Sequence, residues 1–109
     1  PYSQGLTTGE LVFVSGQIPV DPATGAIAET IEEQTAQCIS NLRGVLAEAG
    51  CTLANVIKTT VFLADLGDFA AMNKVYGENM VSPAPARSCV QVAAIPKGAK
   101  VEIECIAVK

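Results

Sequence analysis

The sequence predicts an α+β fold in which two helices pack on one face of a mixed β-sheet. Three observations carry this. Runs rich in Val, Ile, Thr and Phe recur at residues 11–15, 55–65, 86–93 and 101–108 and read as strands. Residues 30–50 and 65–80 carry apolar side chains at helical spacing. The resulting order, β-β-α-β-α-β-β, is that of a sheet with its helices gathered on one side. The 109 residues suit one domain, residues 1–109, around one core, with no internal repeat, linker or low-complexity segment.

The first element is the hairpin LTTGELVFVSGQIP, residues 6–19, turning on Thr8, Gly9 and Glu10. Leu11, Phe13 and Ser15 share one face of its second strand, and Val12 and Val14 the other. Both faces are largely apolar, so this strand is expected inside the sheet. VDPATGAIAE, residues 20–29, is rich in turn signals, with Asp21-Pro22 and Thr24-Gly25. Thr30 and Glu33 then form the pattern of a capping box. Ile31, Thr35, Cys38, Leu42, Val45, Leu46 and Ala49 follow helical spacing, and Gly50 stands where a left-handed residue ends a helix.

In NVIKTTVFLAD, residues 55–65, Val56, Lys58, Thr60 and Phe62 alternate with Ile57, Thr59, Val61 and Leu63. The second helix has Asp65 or Asp68 as its cap and Phe69, Met72, Tyr76 and Met80 as its apolar stripe. Asn73 falls on that stripe, where an amide needs a partner, either as a core hydrogen bond or in a site. Ser82-Pro83-Ala84-Pro85 breaks the helix and delivers Arg87 to the start of the third strong strand. IPKGAK, residues 95–100, is a turn. The last strand, VEIECIAV, sets Glu102 and Glu104 on one face and Val101, Ile103 and Cys105 on the other. A sheet covered on one side leaves its other, mostly apolar face to a partner subunit, so an oligomer is expected.

Composition removes several kinds of chemistry. Net charge is −4 and the seven Lys and Arg do not cluster, a poor electrostatic footprint for nucleic acid. The chain has no histidine, which removes Ser-His-Asp and Cys-His catalysis, histidine acid–base chemistry and most catalytic zinc sites. Its four cysteines form no C-x-x-C pair. Two disulfides are arithmetically possible, but Cys38, Cys89 and Cys105 lie in apolar elements, as reduced structural thiols do in a reducing, cytoplasmic compartment. Cys89, beside Arg87, has a neighbour able to lower its pKa. No apolar run approaches the length of a membrane helix, so no membrane is expected as partner.

Arg87 is a cation at the entrance of an apolar strand, and a buried arginine is costly unless an anion meets it. Glu102 stands on the next strand, across a short turn, so the two are expected to approach each other. They read either as an ion pair at a strand end or as a carboxylate-binding site. In the second reading the arginine fork grips a substrate carboxylate and a glutamate orients water or moves a proton. Spacing does not choose between Glu102 and Glu104. Tyr2 reads as edge packing or as an aromatic wall, and Ser15-Gly16 ends a strand where glycine permits a ligand close to the backbone.

Taken together, PYSQG, LVFVSGQIPVDPATG, EEQTAQCISNLRGVLAEAG, VIKTTVFLADLGDFAAMNKVY and PARSCVQVAAIPKGAKVEIECIAV resemble the Rid (YjgF) family of reactive-intermediate deaminases along essentially the whole chain. The resemblance implies a fold similar to the small chorismate mutases and a homotrimer with three clefts between subunits. It implies hydrolysis of enamines and imines such as 2-aminoacrylate, 2-iminopropanoate and 2-iminobutanoate, made by PLP-dependent dehydratases, with no metal or cofactor. By the same resemblance Arg87 grips the substrate carboxylate and Glu102 positions the attacking water. Cys89 offers its backbone to the imine nitrogen end, and Tyr2, Ser15, Gly16 and Asn73 line the cleft. The proline-rich ENMVSPAP departs from the family pattern at the cleft rim.

Other readings remain at this point. The same cleft serves a non-catalytic module that senses 2-keto acids or amino acids, for which Arg87 suffices and Glu102 is not needed. A ribonuclease or translation inhibitor fits poorly with the acidic balance and the missing histidine. Chorismate mutase would need several cations for a dicarboxylate, and the chain has two arginines, Arg43 and Arg87.

Overall fold

The hairpin forms as expected. In the computed structural model, which describes residues 1–109, β1 (Gly5–Thr8) runs antiparallel to β2 (Leu11–Gln17) and turns at Gly9, whose φ of 53° is left-handed. Helix α1 (Ile31–Glu48) follows, then β3 (Val56–Leu63), α2 (Phe69–Asn79), β4 (Ala86–Gln91) and β5 (Val101–Val108). The element order is the one read from the sequence. The sheet order is β1-β2-β5-β3-β4, with every pair antiparallel except β3 and β4, which run parallel. The sheet is therefore mixed, and β4 is an edge.

Both ends of α1 are set by local chemistry. The Thr30 hydroxyl accepts the Glu33 backbone N–H at 3.1 Å and itself donates to Glu33 Oε1 at 2.9 Å. The cap pairs hydroxyl with carboxylate, rather than returning the carboxylate to the Thr30 backbone as a full capping box does. At the other end Cys51 N donates to Leu46 O and Gly50 N to Ala47 O, a Schellman ending that needs the φ of 74° at Gly50. For α2, Asp65 caps a short 3₁₀ turn, Leu66–Asp68, through a 2.7 Å bond from Gly67 N, and Asp68 makes no capping bond.

The core lies between the helices and one face of the sheet. Cys38, Ile39, Leu42 and Leu46 of α1 and Met72 and Tyr76 of α2 meet Val12, Val14, Val61, Leu63, Val101, Ile103, Cys105 and Ala107. Each fully buried aliphatic side chain contributes roughly 1.5–3 kcal/mol of transfer free energy. Strand alternation leaves the opposite face open, and it carries Phe13 at 41% and Val90 at 43% exposure. No helix is long and apolar enough to cross a membrane.

Candidate active site

Arg87 is placed by register. It lies opposite Thr59 across the parallel β3–β4 pair, and Thr59 is wholly buried on the helix side of the sheet. The Arg87 side chain leaves β4 on that same side and lies against α2. Its guanidinium carbon is 4.7 Å from the centroid of the Tyr76 ring and 5.4 Å from that of Phe69. Its Nη1 donates to Asn73 Oδ1 at 2.7 Å. Phe69, Asn73 and Tyr76 follow one another at helical spacing, so one face of α2 supplies two ring faces and an amide oxygen to a single cation. Below them the Tyr76 and Thr59 hydroxyls are hydrogen-bonded at 2.7 Å in the buried interior.

This places Asn73 differently from the reading that set it on the packed stripe. The stripe closes on Met72 and Tyr76, whereas Asn73 is exposed and gives its carbonyl oxygen to Arg87. At Cys89 the pKa-lowering neighbour read from the sequence is present but outweighed. Arg87 does lower its thiol pKa, but burial raises it by more, so the net shift is upward and the thiol is not activated.

Glu102 belongs to a second cluster. Alternation along β5 sends Val101, Ile103, Cys105 and Ala107 into the core and Glu102 and Glu104 to the open face. Opposite them, β2 is irregular between Val14 and Gln17. Ser15 and Gly16 therefore sit at a bulge within β2, which runs on to Gln17, rather than ending the strand. The Glu102 carboxylate lies over Gly16 so closely that a Cβ there would overlap it, with the carboxyl carbon 2.8 Å away. Burial raises the Glu102 carboxyl pKa, and repulsion from Glu104 adds to the shift.

Tyr2 is 76% exposed, but the residues after it are strapped to the bulge. Ser15 Oγ donates to Ser3 O at 2.6 Å, Ser15 N to Gln4 O at 2.9 Å, and Gln17 Nε2 to Gln4 Oε1 at 2.9 Å. The Ser15 hydroxyl thus anchors the N-terminal segment. Tyr2 and Ser15 share a cavity of about 400 Å³ with Phe13, Glu104 and Ile106 on the open face.

The expectation that Arg87 and Glu102 approach each other does not hold within one chain. β3 lies between β4 and β5, and the two side chains leave the sheet on opposite faces. The ion-pair reading falls with it. The sequence-predicted residues instead fall into two groups, with Arg87, Asn73 and Cys89 along the β4 edge and Tyr2, Ser15, Gly16 and Glu102 around the β2 bulge. Sequence reasoning missed Phe69, Tyr76 and Thr59 as supports of Arg87, although the spacing of Phe69, Asn73 and Tyr76 held the signal. No group of three His, Cys, Asp or Glu side chains is arranged to hold a metal ion.

The profile of the family described as "Endoribonuclease L-PSP" matches residues 1–109. The chain belongs to the Rid (YjgF) family. Among its Rid relatives, the RutC family protein y4sK of Sinorhizobium fredii is 52% identical over 97% of this chain and 85% of its own. The 2-iminobutanoate/2-iminopropanoate deaminase of Salmonella typhimurium is 47% identical over 100% of this chain and 88% of its own. The crystal structure of E. coli TdcF with bound serine superposes with a TM-score of 0.94 at 45% identity, covering 100% of this chain and 88% of that one. Two helices on a mixed five-stranded sheet are thus the Rid fold.

Proposed function

We propose that this protein hydrolyses the reactive enamines and imines left by PLP-dependent dehydratases, 2-aminoacrylate with its tautomer 2-iminopropanoate and 2-iminobutanoate, to 2-keto acids and ammonia. One observation carries the reading. Arg87 is held half-buried by two rings and a neutral amide, so its charge is oriented but not neutralised, and the rest of its fork is free for a carboxylate. The deaminase named among its relatives supports the substrate class.

In this reading the enamine takes a proton at its β-carbon to become the imine. Arg87 grips the carboxylate and so holds the adjacent C=N carbon in place for the water. Water adds to that carbon, losing a proton to Glu102, and the nitrogen gains one. The hydroxyl of the tetrahedral adduct then gives its proton to the nitrogen by way of Glu102, and ammonia leaves as the C–O bond becomes the keto group. A carboxyl whose pKa is raised toward neutrality suits this exchange of protons. Arg87 and Glu102 cannot meet one substrate from a single chain, so the site is read as a cleft between copies in a homotrimer. One copy supplies the Arg87 cluster and its neighbour the Glu102 cluster.

A second reading, a non-catalytic trimer that binds a small amino or 2-keto acid, draws support from the bound serine in TdcF. The experiment couples a PLP-dependent threonine or serine dehydratase to this protein. It follows 2-keto acid formation in a buffer that slows spontaneous hydrolysis, with wild type, Arg87→Ala and Glu102→Gln side by side. Deamination predicts acceleration by wild type alone. Glu102→Gln that still binds pyruvate but turns nothing over separates catalysis from capture. Pyruvate binding by wild type without acceleration favours the binding reading.

A further inference from the structure

The guanidinium of Arg87 is not simply near an aromatic pair. Phe69, Asn73 and Tyr76 come from one face of α2, and each fixes a different freedom of the same cation. The Tyr76 ring, 4.7 Å from the guanidinium carbon, forms its floor, and the Phe69 ring, at 5.4 Å, forms a second side. Asn73 Oδ1, 2.7 Å from Nη1, fixes the rotation of the fork about its own axis. The floor is itself locked, because the Tyr76 hydroxyl is bonded at 2.7 Å to Thr59 Oγ1, and Thr59 is the residue paired in register with Arg87 on the neighbouring strand. Tyr76 is 5% exposed and Thr59 is wholly buried, whereas Phe69 is 36% exposed. A long arginine side chain otherwise loses considerable rotamer entropy when it engages a ligand, and a pre-ordered fork loses less.

We infer that Phe69 and Tyr76 are positioning residues for the carboxylate clamp: they hold the Arg87 fork in its binding orientation before any ligand arrives, with the Thr59 hydroxyl locking the Tyr76 ring. The inference rests on the proposed role of Arg87 as a carboxylate grip. Its consequence lies in binding rather than in chemistry. Loss of a ring frees the guanidinium to sample other rotamers, so carboxylate affinity falls while the water-addition step, carried by Glu102, is left unchanged.

The test uses Phe69→Leu, Phe69→Trp and Tyr76→Leu in the full chain, with pyruvate as the binding probe and the coupled dehydratase assay for turnover. Phe69→Leu, at a partly exposed site where folding is not at stake, is expected to raise KM and the pyruvate Kd about three- to tenfold. Its kcat should stay within about twofold of wild type, since uniform binding is what is lost. Phe69→Trp, which keeps a π face, is expected to stay near wild type. In an Arg87→Ala background Phe69→Leu should change the pyruvate Kd no further. An unchanged KM and Kd in Phe69→Leu, or an equal effect in both backgrounds, overturns the inference.

The cradle is also read without any activity, by NMR of the Arg87 side chain. Ring-shifted guanidinium and δ-methylene resonances that return toward ordinary arginine values in Phe69→Leu or Tyr76→Leu support it. Ordinary values already in wild type overturn it. A wild-type protein that neither binds pyruvate nor turns over imine sinks the functional reading, while the NMR result still decides whether the cradle exists.

Discussion

The Glu102 carboxylate fills the space that a side chain at residue 16 would occupy, so Gly16 and Glu102 form a matched pair across the β2–β5 boundary. The bulge in β2 opens the backbone there, and glycine leaves room for the carboxylate to lie against it. Gly16→Ala should therefore push the carboxylate aside without strain in the backbone itself. We expect kcat to fall about ten- to a hundredfold, the range a small misplacement of a working group produces. Stability should fall by no more than about 1 kcal/mol, the size typical of a single substitution. The coupled assay and a denaturant melt of the same preparation check both.

The raised pKa of Glu102 gives a pH dependence with a defined sign. Its folded-state pKa exceeds that of a glutamate in the unfolded chain. Between those two values the folded protein holds the extra proton, so the group costs stability as pH rises through its folded pKa. Glu102→Gln should melt at a higher temperature than wild type at pH 7. That advantage should vanish at a pH below the ordinary glutamate value. On the activity side, the acid limb of the wild-type kcat/KM profile should lie above the ordinary glutamate range.

The hydroxyl pair beneath Arg87 makes a third prediction. Tyr76→Phe keeps the ring but strands the buried Thr59 hydroxyl, at a cost of about 1–3 kcal/mol. The double variant Tyr76→Phe with Thr59→Val removes both polar ends and should recover most of that loss. A double-mutant cycle by urea melts measures the coupling, and additive losses would exclude a direct bond.

Thiol labelling separates the cysteines. Burial, with help from nearby glutamates, pushes Cys38 and Cys105 up to about 12, while Cys89 is raised with its side chain half-buried. Iodoacetamide at pH 7 should modify native protein slowly, and only at Cys89. The Cys89 rate should climb as pH passes above the usual cysteine value. Rapid modification of Cys89 at neutral pH would show a thiolate stabilised by Arg87 after all.

Much of the fold was legible because its signals are local. The Thr30 and Gly50 boundaries of α1, the alternation along β5 and the Gly9 turn each rest on a few neighbouring residues. The candidate site residues were drawn from the same reading, through Arg87 and the motif around it. The neighbourhood of Arg87 was not. Consecutive strands usually pair, and that habit brought β4 beside β5, whereas the parallel pairing with β3 separates them. Asn73 was read as part of the packed stripe because a helical wheel places it near Phe69 and Tyr76 but cannot say where burial stops. At Cys89 the adjacent cation was visible in the sequence, and the desolvation that outweighs it was not.

The insertion of β3 between β4 and β5 has a consequence for how the protein behaves in a population. Under the proposed reading, a lone chain carries both halves of the chemistry and can use neither, so specific activity should collapse on dilution past the point where the particle dissociates. Two dead variants, Arg87→Ala and Glu102→Gln, should then rescue each other when dissociated together and reassembled. Some clefts in the mixed particles inherit the intact half of each parent, and activity should return in the proportion that random subunit mixing dictates.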